Sequence, residues 1–365
     1  MAHNVAVLKA LVAPSRLCAV VKADGYGHGA RAVAGPLLAA GADLLAVALV
    51  DEGIELREDG IDAPILLLAE APASSLDDAI AAALTLTVGS ARGARDVVAA
   101  QGRAGGALPV HVKVDTGMHR MGVAPDQLRA VLEELAAGSV AVGGIWTHFP
   151  VADADDDDAR AFTAGQLAAL HAAIAGAGDA VADDVARHAA NTAGALWLPD
   201  SRLDLVRVGL GLYGYLPHPA MATTLEAAGC EALRPVLSIK ARVSSVRDLP
   251  AGARPSYGRR RALTAPSRVA TVPLGYADGF PRALLDGGVE VLVRGRRRGL
   301  AGTVTMDQVV VDCGDDPVEV GDEVVLLGRQ GDETVTADEW AAALGTISWE
   351  VLCGVKPRIP KLLVD

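Results

Sequence analysis

Short apolar runs that alternate with alanine-rich helical stretches over the first 210 residues constrain this chain more than any other feature. The runs cover residues 17–22, 44–48, 65–69, 84–88, 110–115, 142–148, 185–191 and 203–208, eight in all. A near-continuous apolar run of this length reads as a parallel strand buried on both faces, and the stretch between two such runs supplies the crossover helix. Eight strands with intervening helices is the count of a closed (β/α)8, TIM-like barrel, in which the active site lies at the C-terminal ends of the strands. A doubly wound open sheet shows the same alternation, so the count carries the barrel. The polar residues at the ends of the runs support it. Lys22, Lys113 with Asp115, Thr147 with His148, His188 with Asn191, and Arg207 each close an otherwise apolar run.

After about Leu225 the texture changes to β-branched runs at 236–246, 269–273, 289–293, 309–312 and 324–327, broken by Gly, Pro and Asp. This reads as a separate, mostly-β domain, with the barrel at residues 1–226 and the β domain at 227–365. One helix is expected inside it at 337–344, started by Thr336 or Asp338 and stopped by Gly345.

Half of the residues are apolar, enough for a large core, yet no apolar stretch approaches the ~18 residues of a membrane span. No charged-then-apolar leader opens the chain, so the expectation is a soluble, cytoplasmic protein with no membrane partner. A formal charge of −12 and the lack of a basic stripe with interleaved aromatics argue against a nucleic-acid partner. The triplet Arg296-Arg297-Arg298 is the exception, and its apolar flanks place it on a hairpin. The run from Asp155 to Asp158 fits a helix N-terminus, where carboxylates complement the helix dipole. Cysteines at 18, 230, 313 and 353 have neither metal-ligand nor redox spacing, so they read as reduced core residues and no metal is expected.

Only six lysines stand among the 33 basic residues, so arginine covers the surface and Lys22 needs its own explanation. In Val-Val-Lys22-Ala-Asp-Gly-Tyr26-Gly-His-Gly it ends an apolar strand, with a helix expected from His28. A strand-end lysine that merely snorkels to solvent is the ordinary alternative. Tyr26, His28 and three nearby glycines, which let backbone approach a ligand closely, turn the reading toward an amine that forms a Schiff base.

Read in order, this motif is joined by Lys113-Val-Asp-Thr-Gly-Met-His-Arg120-Met-Gly, Thr147-His148-Phe, His188-Ala-Ala-Asn191-Thr192-Ala, Val206-Arg207-Val-Gly209-Leu-Gly-Leu-Tyr213-Gly, Ser256-Tyr257-Gly, Gly275-Tyr276-Ala-Asp-Gly and Met306-Asp307-Gln. In that order they resemble the alanine racemases over nearly the whole chain. The resemblance implies a (β/α)8 barrel followed by a β domain, pyridoxal 5'-phosphate as cofactor, alanine as substrate, and a homodimer with shared active sites. It implies that Lys22 holds the cofactor as an imine and exchanges the α-proton on one face. Tyr257, contributed by the partner subunit, would act on the opposite face. A tyrosine is a weak base at neutral pH unless its neighbours favour the phenolate. By the same resemblance Arg207 bonds the pyridine nitrogen with His148 beside it. Tyr26, Thr192, Gly209 and Leu210 hold the phosphate. Arg120 and the Met306 amide meet the substrate carboxylate. Lys113, carbamylated in some members, orients Arg120; Tyr276 guards the substrate channel, and Asp307 comes with Met306 from the partner.

Two departures bear on these expectations. Trp349 stands where the family usually has a tyrosine whose hydroxyl reaches the phosphate, and its single donor and greater bulk keep serine or another small amino acid open as substrate. Members usually carry an additional strand ahead of Asn4-Val5-Ala6, which implies either an upstream start or an unpaired edge in the β domain. From another class, fold-related pyridoxal-phosphate decarboxylases share the two-domain plan, but their glycine-rich phosphate loop and catalytic cysteine motif are not apparent.

Overall fold

The chain forms two compact units, Met1–Arg234 and Pro235–Asp365. The computed structural model describes residues 1–105 and 108–364. In the first unit the strands are β1 (Arg16–Val20), β2 (Leu44–Val47), β3 (Ile65–Leu67), β4 (Thr87–Val88), β5 (Val110–Lys113), β6 (Val142–Trp146), β7 (Ala186–His188) and β8 (Leu205–Val208). All pair in parallel, as two four-stranded ladders, β3-β2-β1-β8 and β4-β5-β6-β7. A parallel bridge from Leu66 to Thr85 joins them on one side. On the other, Asp204 N donates to Arg187 O and Arg207 N to Ala190 O, each at 3.0 Å, which closes the barrel. The β-branched and leucine side chains that made these runs recognisable, among them Val21, Leu45, Ile65, Val112 and Val206, have no solvent exposure, as a sheet covered on its outer face by helices requires.

Every run is found as a strand, but several strands stop short of the expected ends. Residues 21–22, 114–115, 147–148 and 189–191 leave the ladder. Single hydrogen bonds to the neighbouring strand continue past the ladder, Val21 N to Ala46 O and Val114 N to Trp146 O at 2.8 Å and Thr147 N to His188 O at 3.2 Å. The helix expected from His28 begins instead at Ala30, because the residues before it form a tight turn of opposite hand. The acidic run lies as expected: Asp156 caps the helix Asp157–Ala177 by accepting from Ala159 N at 2.9 Å.

The second unit holds β9 (Ile239–Arg242), β10 (Ser245–Leu249), β11 (Ser267–Val272), β12 (Glu290–Val293), β13 (Arg296–Gly299), β14 (Val309–Asp312), β15 (Glu323–Gln330) and β16 (Glu333–Val335). They form antiparallel sheets β10-β11-β14 and β13-β12-β15-β16, with β9 also on β15. The expected single run 236–246 is two strands. At the corner Val243 N bonds Asp322 O and Ser244 N bonds Thr271 O, so the chain passes from one sheet to the other. The arginine triplet is on the hairpin β12–β13, where Arg297 pairs with Glu333 and Glu339 and Arg298 with Asp316. The expected helix Ala337–Leu344 is present, with a Thr336/Glu339 capping box and Gly345 as its left-handed cap. None of the four cysteines forms a disulfide, but only Cys18 and Cys313 are buried; Cys230 is partly exposed and Cys353 exposed, so the expectation of four core cysteines is corrected. Cys353 ends the short helix Ser348–Cys353, which turns its apolar side, Val351 and Leu352, inward instead.

Candidate active site

At the end of β1 the backbone makes one turn of left-handed helix. Ala23, Asp24, Gly25 and Tyr26 have φ of 54°, 54°, 62° and 53°. An L-residue in this region costs about 1–2 kcal/mol, which glycine avoids, so the turn survives only because its surroundings hold it. Gly25 N bonds Val21 O at 2.8 Å, Ala23 N bonds the Glu52 carboxylate at 2.6 Å, and Asp24 accepts from Ala30 N at 2.8 Å. The turn carries Lys22 at its start and Tyr26 at its end. Tyr26 is buried and stacks on Tyr213, with centroids 5.0 Å apart.

On the strand paired with β1, β8 presents Arg207, in register with Cys18, a buried guanidinium with no carboxylate partner among the described residues. Neutral acceptors hold it instead. Nη2 donates to the carbonyls of Thr147 and Ala189 at 2.8 and 2.9 Å and lies 3.3 Å from His148 Nδ1; Nη1 donates to His188 Nδ1 at 2.8 Å. Burial and this arginine's charge push both His148 and His188 well below the ordinary imidazole range, so they are neutral and free to accept. The guanidinium also lies over the Trp146 ring, 4.5 Å from its centroid.

Lys113, at the end of β5, sits over the same indole at 4.9 Å. Burial first, then the charges of Arg120 and Arg207, pull its ammonium down to about 8. Arg120 is exposed on the loop that follows β5. That loop is fastened at its base by Asp115 N to Val123 O and Val123 N to Lys113 O, both 2.9 Å, and by Asp115, whose carboxylate accepts from the Gly117 and His119 amides at 3.0 Å. Burial would raise the Asp115 carboxyl, but these amide donors outweigh it and hold it below the usual range.

A third set of groups lies between the ends of β7 and β8. Asn191 caps the helix Thr192–Trp197 through Gly194 N, and the Thr192 hydroxyl accepts from Gly209 N at 3.2 Å. A Cβ at Gly209 would fall 2.3 Å from the Tyr26 hydroxyl, so only glycine lets these two segments meet. The first N–H groups of a helical turn have no intrahelical acceptor, and Thr192 and Leu210 each open one. Hydroxyls and outward amides of this kind suit the oxygens of a phosphate monoester. A strand-end lysine amine and a donor-only guanidinium complete a set that fits pyridoxal phosphate: one group for its aldehyde, one for its ring nitrogen, several for its phosphate.

In the second unit the named residues face outward. Tyr257, Met306 and Tyr276 are 75%, 53% and 41% exposed, far more than apolar side chains of their size usually are. The Tyr257 loop is tied at both sides of the tyrosine, Ser256 Oγ to Thr303 O at 2.5 Å and Thr303 Oγ1 to Tyr257 O at 2.7 Å. Tyr276 N and Ala277 N bond the carbonyls of Thr305 and Met306 at 3.0 Å, and Arg358 links Asp278 to Asp307. Trp349 is half-buried on the helix Ser348–Cys353.

Trp146 and His111 were not singled out from the sequence. The signal was available in the period of two, which puts His111 with Lys113, Gly144 with Trp146, and Ala186 with His188 on one face of consecutive strands.

Comparison with known proteins agrees with this geometry. Residues 1–217 match the family model "Alanine racemase, N-terminal domain" and residues 236–363 "Alanine racemase, C-terminal domain". The chain is 41% identical over 360 residues to the alanine racemase of Symbiobacterium thermophilum, covering 98% of this chain and 93% of that one. It is 40% identical over 363 residues to that of Thermobifida fusca, covering 98% and 94%. Among solved structures, alanine racemase from Streptomyces coelicolor superposes with a TM-score of 0.91 at 35% identity, over all of this chain and 95% of the other. A strand-end lysine, an unpaired buried arginine and a phosphate-shaped donor cluster thus occur within a full-length match, and the chain belongs to the alanine racemase family, whose members are isomerases.

Proposed function

We propose that the protein interconverts L- and D-alanine by a two-base reaction on bound pyridoxal phosphate, as a cytoplasmic homodimer that supplies D-alanine for peptidoglycan. The observation that carries the reading is Arg207: a charged, buried, donor-only group held by neutral acceptors at a strand end of the barrel that also ends a strand at Lys22. Pyridoxal phosphate, when bound, would supply a sink for the electron pair left by the departing α-proton. Arg207 bonds the ring nitrogen without giving it a proton, since a guanidinium keeps its charge, and this restrains side reactions such as transamination. Tyr26, Thr192 and the amides of Gly209 and Leu210 anchor the phosphate.

Lys22 exchanges the α-proton of D-alanine, and Tyr257 of the other subunit that of L-alanine; what one base removes from one face the other replaces on the opposite face. The exposure of Tyr257, Tyr276 and Met306 supports a surface completed by a second copy. Arg120 and the Met306 amide hold the substrate carboxylate, with Lys113 and Asp307 as supporting groups. Lys22→Ala should lose both the visible absorbance of the cofactor linkage and racemisation; Tyr257→Ala should keep the absorbance and lose racemisation. A Lys22→Ala protein that retains the absorbance places the cofactor lysine elsewhere. Trp349 favours a second reading in which serine or another small amino acid is preferred, and a strong preference for L-serine over L-alanine would replace alanine as the substrate.

A further inference from the structure

We propose that His111 is a positioning residue for Arg207, acting through His188 in a buried hydrogen-bond chain whose proton order has one solution. Arg207 carries only donors, so the His188 Nδ1 that it meets at 2.8 Å must offer a lone pair. His188 is neutral, so its proton is on Nε2, which faces His111 Nδ1 at 2.9 Å. His111 Nδ1 is therefore an acceptor too. Burial first, then the charges of Arg16 and Arg207, push His111 down to about 4, so at neutral pH it carries its single proton on Nε2. The order cannot run backwards, because arginine cannot accept.

The barrel is built around this chain. His111 is on β5 and His188 on β7, so their contact passes over β6. The residue of β6 paired with His111 is Gly144, where a Cβ would lie 2.6–2.8 Å from three atoms of the His111 ring. The ring of His188 is stacked on Trp146, 5.6 Å between centroids and 8° from parallel, and Arg207 lies over the same indole. Every plane in the chain is fixed by a neighbour. Without the acceptor at His111, the buried Nε2–H of His188 loses its partner, and the ring is free to turn a donor toward Arg207.

The proton order is independent of the reaction proposed above; its consequence for turnover rests on that reading of Arg207. Long-range 1H–15N correlations on histidine-labelled holoenzyme at neutral pH should show His111 and His188 both as neutral Nε2–H tautomers. A Nδ1–H or a charged ring at either overturns the chain, whatever the enzyme catalyses. His111→Ala removes the acceptor, whereas His111→Asn keeps an acceptor near the Nδ1 position. We expect kcat for alanine to fall about tenfold or more in the first and to stay within about threefold in the second, with KM within about twofold in both, as for loss of one buried hydrogen bond. The His188 signals should shift in His111→Ala alone. Equal losses in both variants with unmoved His188 signals, or no loss in either, would overturn the positioning role. Neutral Nε2–H signals in a wild-type enzyme that does not racemise alanine would sink the proposed function and leave the chain standing.

Discussion

Thr192 illustrates how one side chain supports two segments. Its hydroxyl receives the Gly209 amide and stands at the start of a helix, so Thr192→Val removes the proposed phosphate partner and the acceptor of the Gly209 amide after β8. A hydrogen bond to a charged group is worth roughly 1.5–3 kcal/mol, so cofactor affinity should fall about ten- to hundredfold with kcat little changed. Titration of the cofactor-free protein with pyridoxal phosphate reads this directly. Lys113 makes a prediction of a different kind. Its amine is pulled from 10.5 to about 8, so the folded state prefers it neutral and the unfolded chain binds the extra proton between those values. This group therefore adds stability as pH rises from about 8 to 10.5, and Lys113→Met should flatten that rise in denaturant midpoints. A variant with the same slope as the wild type would mean that the amine does not titrate there, as a carbamylated lysine would not.

At the scale of elements, the left-handed turn after β1 decides where Lys22 and Tyr26 are aimed. Ala23→Val puts a β-branched side chain at φ 54° and should cost roughly 1–3 kcal/mol, while Ala23→Gly relieves strain at a similar gain in unfolded-state freedom and should be near neutral. Melting of the two variants side by side checks the ordering; equal melting would show that the turn holds no strain. This turn was not legible in the sequence, because Ala and Tyr have no preference for it and its bonds include one to the distant Glu52, which the local sequence does not announce. Lys22 itself was legible, since an ammonium after five apolar residues is conspicuous. The corner at Val243 and Ser244 was hidden for the opposite reason: the run has no Gly or Pro to mark it, and the break is made by two different sheets competing for one strand.

For the whole molecule, the barrel was readable because most of its strands are buried on both faces and write an apolar run. The polar chain inside it was not, because it needs the register of β5, β6 and β7. That chain also sets the acid limit. His111 is neutral when folded down to about 4 and titrates near 6.5 when unfolded, and His148 and His188 are lowered in the same sense. Their contribution is complete above pH 6.5 and is lost as pH falls through the window below it, where the unfolded chain takes up protons that the barrel refuses; for His111 alone this is on the order of 3 kcal/mol by pH 4. Stability measured from pH 7 to 4 should fall less steeply in His111→Asn than in the wild type.

The central claim is that Lys22 of one subunit works with Tyr257 of another. Mixing inactive Lys22→Ala and Tyr257→Ala subunits under conditions of exchange tests it most directly. If the site is shared, each mixed dimer has one intact pair, and racemisation should return to about a quarter of the wild-type rate at random exchange. If the two bases belong to the same chain, every site in the mixture lacks one of them, and activity that stays absent after confirmed exchange would contradict the account.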